Sequence, residues 1–126
     1  MSDLEEALCF QIRAAGLPVP ERQFKAVEGR KWRWDLAWPA QQLLLEVDGA
    51  IWIQGRHNRG RGIEGDAEKQ SAAAATGWRT MRVTERMIDS GRAVELLEVA
   101  LQGRHITSVG QSAAVKIQPG DLAGRY

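Results

Sequence analysis

Cysteine is almost absent: Cys9 is the only one in 126 residues, which excludes an internal disulfide and a zinc site built from cysteines. Any metal must therefore be held by oxygen or by histidine. Long hydrophobic runs are missing too, since none approaches the roughly 20 apolar residues that a membrane-spanning helix needs. The start Met1-Ser2-Asp3-Leu4-Glu5-Glu6 lacks a basic leader followed by an apolar stretch, so the expectation is a cytoplasmic protein with no membrane contact. Charge of one sign is not in excess either. The formal net charge is +1, which neither demands nor forbids a nucleic-acid partner. No repeat occurs at periods of about 20 residues or more, and the only low-complexity stretch is the alanine run at 72–75.

What is present fits one soluble globular domain: 44% of residues are hydrophobic and 26% charged. Leu4, Ala7, Leu8, Ile12 and Ala15 recur at helical spacing, which predicts a helix over 3–15 closed by Gly16 and Pro18. Strands are expected at 21–27, 32–38 and 43–48, with turns at 28–30 and 39–41, as a three-stranded meander. A glycine-rich loop follows from Ala50 to Gly65, of a length that is often functional. A helix at 64–76, a strand at 78–83 and a helix at 92–102 complete an α/β domain. The helix between the third and fourth strands implies a mixed sheet. Residues 1–103 form this domain and 104–126 a tail without clear period, in which 113–117 has the composition of a short strand.

The chemistry lies in the strands, where side chains two residues apart share a face. Trp32, Trp34, Leu36 and Trp38 fall on one face of the second strand, with Arg33, Asp35 and Ala37 on the other. In the third strand Leu43, Leu45 and Val47 oppose Leu44, Glu46 and Asp48. Adjacent strands would bring Asp35, Glu46 and Asp48 together. Like charges that close recruit a cation, and hard oxygen ligands suit Mg2+ or Mn2+. Such an ion activates water for phosphodiester hydrolysis. A single acid in a strand is usually a solvated residue, and Asp48-Gly49 is a common turn pair. Glu46, however, interrupts an apolar run, where an unpaired charge costs several kcal/mol.

The stretches Trp34-Asp35-Leu36-Ala37-Trp38-Pro39, Leu44-Leu45-Glu46-Val47-Asp48-Gly49, Gly55-Arg56-His57-Asn58-Arg59-Gly60, Asp66-Ala67-Glu68-Lys69 and Gly77-Trp78-Arg79 through Arg82-Val83-Thr84 resemble the PD-(D/E)XK nuclease superfamily. Within it they resemble the small, often phage-encoded endonucleases related to very-short-patch mismatch repair enzymes. The resemblance covers about residues 3–102 and implies a restriction-endonuclease-like core, a four-stranded mixed sheet flanked by helices. It implies Asp35 and Glu46 as metal-binding acids. Asp48 stands where the superfamily usually has its lysine, and Trp34 replaces the common proline before the aspartate. Lys69, reaching in from the following helix, and His57, as general acid or base, are the two candidates for the missing lysine's role. Lys69 has an alternative as a surface helix partner of Asp66, and His57 as a phosphate contact. Glu5 is a further candidate, since superfamily members often place a glutamate of the first helix near the metal. It also suits an ordinary first-turn position, favoured by the helix dipole.

For DNA, Arg56, His57, Arg59 and Arg61 are the expected phosphate contacts, and Trp52 a stacking or wedging residue. The leading expectation is a Mg2+- or Mn2+-dependent DNA endonuclease acting on branched, nicked or mismatched DNA, with a homodimer as one way to address two strands. The alternatives are a catalytically inactive DNA-binding module of nuclease fold, and a protein-interaction domain using the tryptophan-rich face.

Overall fold

In a computed structural model the chain is described over residues 3–49 and 64–102. It opens with α1 (Asp3–Ala14), whose first turn carries Asp3, Glu5 and Glu6 against the positive end of the helix dipole. Gly16, at φ +73, ends it, and the Leu17 amide donates back to the Ile12 carbonyl at 3.1 Å. The strands β1 (Glu21–Phe24), β2 (Trp34–Trp38) and β3 (Leu43–Asp48) follow, with a 3-10 turn at Pro39–Gln41 between the last two. α2 spans 64–75. Its end is set by Gly77 at φ +98, where the Gly77 and Trp78 amides donate to the carbonyls of Ala74 and Ala73. β4 (Arg79–Thr84), α3 (Glu85–Asp89) and α4 (Arg92–Leu101) complete the domain.

The result is an α/β fold with one four-stranded mixed sheet in the order β1-β2-β3-β4. β2 is antiparallel to both neighbours, while β3 and β4 run parallel. A parallel step needs a crossover, and α2 lies on it. One sheet face packs against α1, α3 and α4 through Leu8, Ile12, Leu36, Trp38, Leu43, Leu45, Val83, Ile88 and Leu97. The other face buries Trp34, Ala37 and Leu44 against Ala73 of α2, with Phe24, Trp32 and Trp78 around them. Among the described residues no helix is long and apolar enough to cross a membrane.

Three local expectations are corrected. Trp34 does not share a face with Leu36 and Trp38; it turns to the α2 side, and Trp32 packs there too. The cause is a break in the ladder: β2–β3 pairing covers Leu36↔Leu45 to Trp38↔Leu43, and one residue further the Asp35 carboxylate accepts from the Val47 amide instead. On the far side of β2, Gln23 takes a left-handed φ of +52, so Phe24 turns with its partner Trp34. Second, β1 and β2 are shorter than 21–27 and 32–38, because residues 25–33 leave the sheet. Third, the short α3 adds to the expected elements. It starts at Thr84, whose hydroxyl accepts from the Met87 amide.

With Trp34 and Trp38 each 2% exposed, and Trp32 and Trp78 half-buried, the tryptophans of the described residues are packing residues rather than an open face. The loop residues Trp52, Arg56, His57, Arg59 and Arg61, and the segment 104–126, lie outside the described residues.

Candidate active site

Where β2 parts from β3, four half-buried or exposed acids and two cations come together. Asp35 stands one residue beyond the last β2–β3 pair. Its Oδ2 accepts from the Val47 amide at 2.8 Å, and its Oδ1 from Gln23 Nε2 at 3.4 Å. Glu46, on β3, turns to the α2 side. There one carboxylate oxygen takes a close ion pair from Lys69 Nζ and the other takes Arg82 Nη2 at 3.3 Å. Asp48 receives Arg82 Nε at 3.3 Å, and Asp66, at the start of α2, receives Arg82 Nη2 at 3.5 Å.

Lys69 is held from three directions. Besides Glu46 it donates to the Arg33 carbonyl at 2.8 Å and lies 4.7 Å from the centroid of the Trp34 ring. A carboxylate, a carbonyl and a π-face converge on one ammonium, which fixes a side chain that is otherwise among the most mobile. A small open pocket lies beside it, lined by Trp34, Glu46, Asp66 and Arg82 among others. Lys69 sits on the inner side of α2 because Ala73, one turn further along, is the residue that seals the helix onto the sheet.

The electrostatics are unbalanced. Burial pushes the Asp48 carboxyl above its ordinary range; Arg82 pulls it back, while the negative charges of Glu46, Asp66 and Asp35 push the same way as burial. Arg82 is held above its own ordinary value by Asp48, Asp66 and Glu46, although burial works against it. Four carboxylates (Asp35, Glu46, Asp48 and Asp66) face two cations (Lys69 and Arg82), a surplus of two negative charges. A raised carboxyl makes ionised Asp48 a cost to the folded state, which is present above its folded-state pKa and relieved as pH falls through it. Asp48→Asn is therefore expected to leave the melting temperature at pH 7 equal to or above that of the parent, as thermal unfolding will register.

Among the described residues no group of three or more His, Cys, Asp or Glu side chains stands ready to hold a metal ion. In this arrangement Lys69, Arg82 and the Val47 amide are bound to Glu46, Asp48 and Asp35. The donor chemistry itself fits a hard dication: all three are carboxylates, and the surplus charge matches such an ion.

Of the other residues expected to act, Glu5 is 4% exposed and bound by Arg22 Nε and Nη2, each at 3.0 Å, with Glu6 on the same guanidinium at 2.7 Å. Its carboxylate thus joins α1 to β1. Lys69 does not pair with Asp66; Arg82 does. Sequence reasoning missed Arg82, Asp66 and the role of Trp34 beneath Lys69. The sequence carries no local signal for Arg82, since its place opposite Glu46 comes from the parallel register of β3 and β4. No family model, curated protein or solved structure matches the chain.

Proposed function

We propose that this protein is a metal-dependent endonuclease that hydrolyses DNA phosphodiesters, on a core of the restriction-endonuclease kind. The observation that carries the reading is the delivery of Lys69 from α2 onto Glu46 of β3, beside the point where Asp35 leaves the β2–β3 ladder. That supplies a cation at the position left without one by Asp48. The order helix, three strands, helix, strand supports the same reading.

Asp35, Glu46 and Asp48 would hold Mg2+ or Mn2+, which when bound polarises a phosphodiester and acidifies water. The protein's own part is positional and electrostatic. Asp35 is aimed by the Val47 amide, so its carboxylate needs little reorganisation. Lys69, pinned by Arg33 and Trp34, presents a fixed positive charge to an attacking water or to the negative charge that builds on phosphorus-bound oxygens. Arg82, through Nε and Nη2, holds Asp48, Glu46 and Asp66 in one cluster.

A second reading has one observation in its favour. Arg82 lies across Glu46 and Asp48, as expected of a nuclease fold that binds DNA without cutting it. Incubation of the protein with supercoiled plasmid, a four-way junction and a mismatched duplex, each with Mg2+, Mn2+ or chelator, separates the two. Metal-dependent cutting of any of these supports the endonuclease. Salt-sensitive binding without cutting under every condition supports the inactive module.

A further inference from the structure

We propose that the β1–β2 connection, residues 25–33, is a phosphate-binding surface that lays duplex DNA alongside the Glu46–Lys69 centre. The inference deepens the nuclease reading and rests on it for the nature of the substrate. The chain as a whole is nearly neutral, yet this stretch carries Lys25, Arg30, Lys31 and Arg33 against one acid, Glu28. All four cations are exposed. Lys25 and Lys31 make no ion pair among the described residues, so their charges are available.

A run of surface cations is ordinarily just solvated, but here the backbone that carries them is fixed. Gly29 at φ +84 and the Arg30 amide bond to the Val27 carbonyl, 3.3 Å, close a tight turn. Ala26, Val27 and Trp32 anchor it on the core beneath α2. The Arg30 guanidinium stacks 3.8 Å above the Trp32 ring and reaches Glu68 at 3.4 Å; Arg33 Nη1 donates to the Gln23 carbonyl at 3.4 Å. Pinned cations lose less entropy when a phosphate docks than free ones do.

Location gives the surface its purpose. The Arg33 carbonyl is one of the groups that hold Lys69, and Glu68, the partner of Arg30, precedes Lys69 in sequence. The connection therefore borders the acidic centre directly. A centre with surplus negative charge repels a polyanion, so cations beside it must hold the flanking phosphates while one phosphodiester is presented there.

The test is duplex binding by fluorescence anisotropy in chelator, as a function of salt, for the full chain and for Lys31→Glu/Arg33→Glu. Arg13→Glu/Arg86→Glu, on the face of the sheet covered by α1 and α3, makes the same charge change elsewhere. The expected result is a Kd raised about tenfold or more by the first pair, with the salt slope reduced by about 0.9 for each phosphate no longer neutralised. The control pair should stay within about threefold of the parent. Lys31→Gln/Arg33→Gln, which adds no repulsion, should weaken binding less than the reversal but lower the slope equally. A parent that binds no duplex at low salt, or a reversal of 31 and 33 no weaker than the control pair, overturns the proposal. Cleavage with Mg2+ is scored separately. Binding abolished at 31 and 33 in a protein that never cuts DNA sinks the nuclease reading and leaves the surface standing. Unimpaired binding in a protein that cuts does the reverse.

Discussion

Lys69→Met is expected to slow DNA cleavage by about a hundredfold or more while leaving the protein folded. The size follows from removing one preorganised charge from a site where it meets developing negative charge, a change worth about 10²–10³ in rate. Methionine keeps most of the length and an unbranched apolar side chain, so the ammonium over the Trp34 ring is the main loss. Glu46 retains Arg82 as a partner, which limits the harm to stability. Lys69→Arg should rescue little, because a planar guanidinium cannot occupy the narrow position between the Glu46 carboxylate, the Arg33 carbonyl and the Trp34 ring. Single-turnover cleavage in Mg2+, with circular dichroism melts on the same samples, checks both. If Lys69 were only a staple between α2 and β3, the order would invert: Lys69→Met would lower the melting temperature and spare the rate.

The second large effect separates charge from hydrogen bonding at Asp35. Asp35→Asn keeps an acceptor for the Val47 amide, so the divergence of β2 from β3 survives, but the carboxylate is gone. Cleavage should fall by about a hundredfold or more with little change in stability. Asp35→Ala removes the acceptor as well. The half-buried Val47 amide is then deprived of its 2.8 Å partner, at a cost of about 1–2 kcal/mol on top of the same catalytic defect. Urea unfolding distinguishes the two variants, and plasmid cleavage should not. Wild-type cutting by Asp35→Asn would remove Asp35 from any part in the reaction.

The order of the elements was legible because the signals were regular. The short apolar run Leu43-Leu44-Leu45, the alanine-rich helix ending at Gly77, and the period of α1 each follow from one local rule, and the structure obeys it at each. Where two rules competed, local reading failed. Strict alternation put Trp34 with Trp38, but alternation assumes an unbroken ladder, and Asp35 breaks it by taking the Val47 amide with its side chain. The left-handed Gln23 is invisible in sequence, since glycine or asparagine is the usual marker of such a turn. α3 is five residues long, too short for a helical period to emerge, although its Thr84 cap was in plain view.

The site was legible to the same degree. Glu46 stood out because it interrupts an apolar strand, and the cost of that interruption is met by Lys69 and Arg82. What could not be read was the partner set. That Arg82 gathers Glu46, Asp48 and Asp66 depends on the parallel register of β3 and β4, and register belongs to tertiary structure. The same dependence accounts for the basic β1–β2 connection. Its charges were plain in sequence, but their place beside Lys69 required the hydrogen bond from Lys69 to the Arg33 backbone.

The proposed hydrolysis requires Asp35, Glu46 and Asp48 to take up a divalent cation when the protein engages DNA. Mn2+ binding followed by electron paramagnetic resonance in the presence of an uncleavable phosphorothioate duplex measures this without relying on turnover. The expected outcome is saturable loss of the free Mn2+ signal with the parent protein and a large weakening in Glu46→Gln. An equal free signal with and without the protein, or binding unaffected by Glu46→Gln, would contradict a metal-dependent centre at these carboxylates.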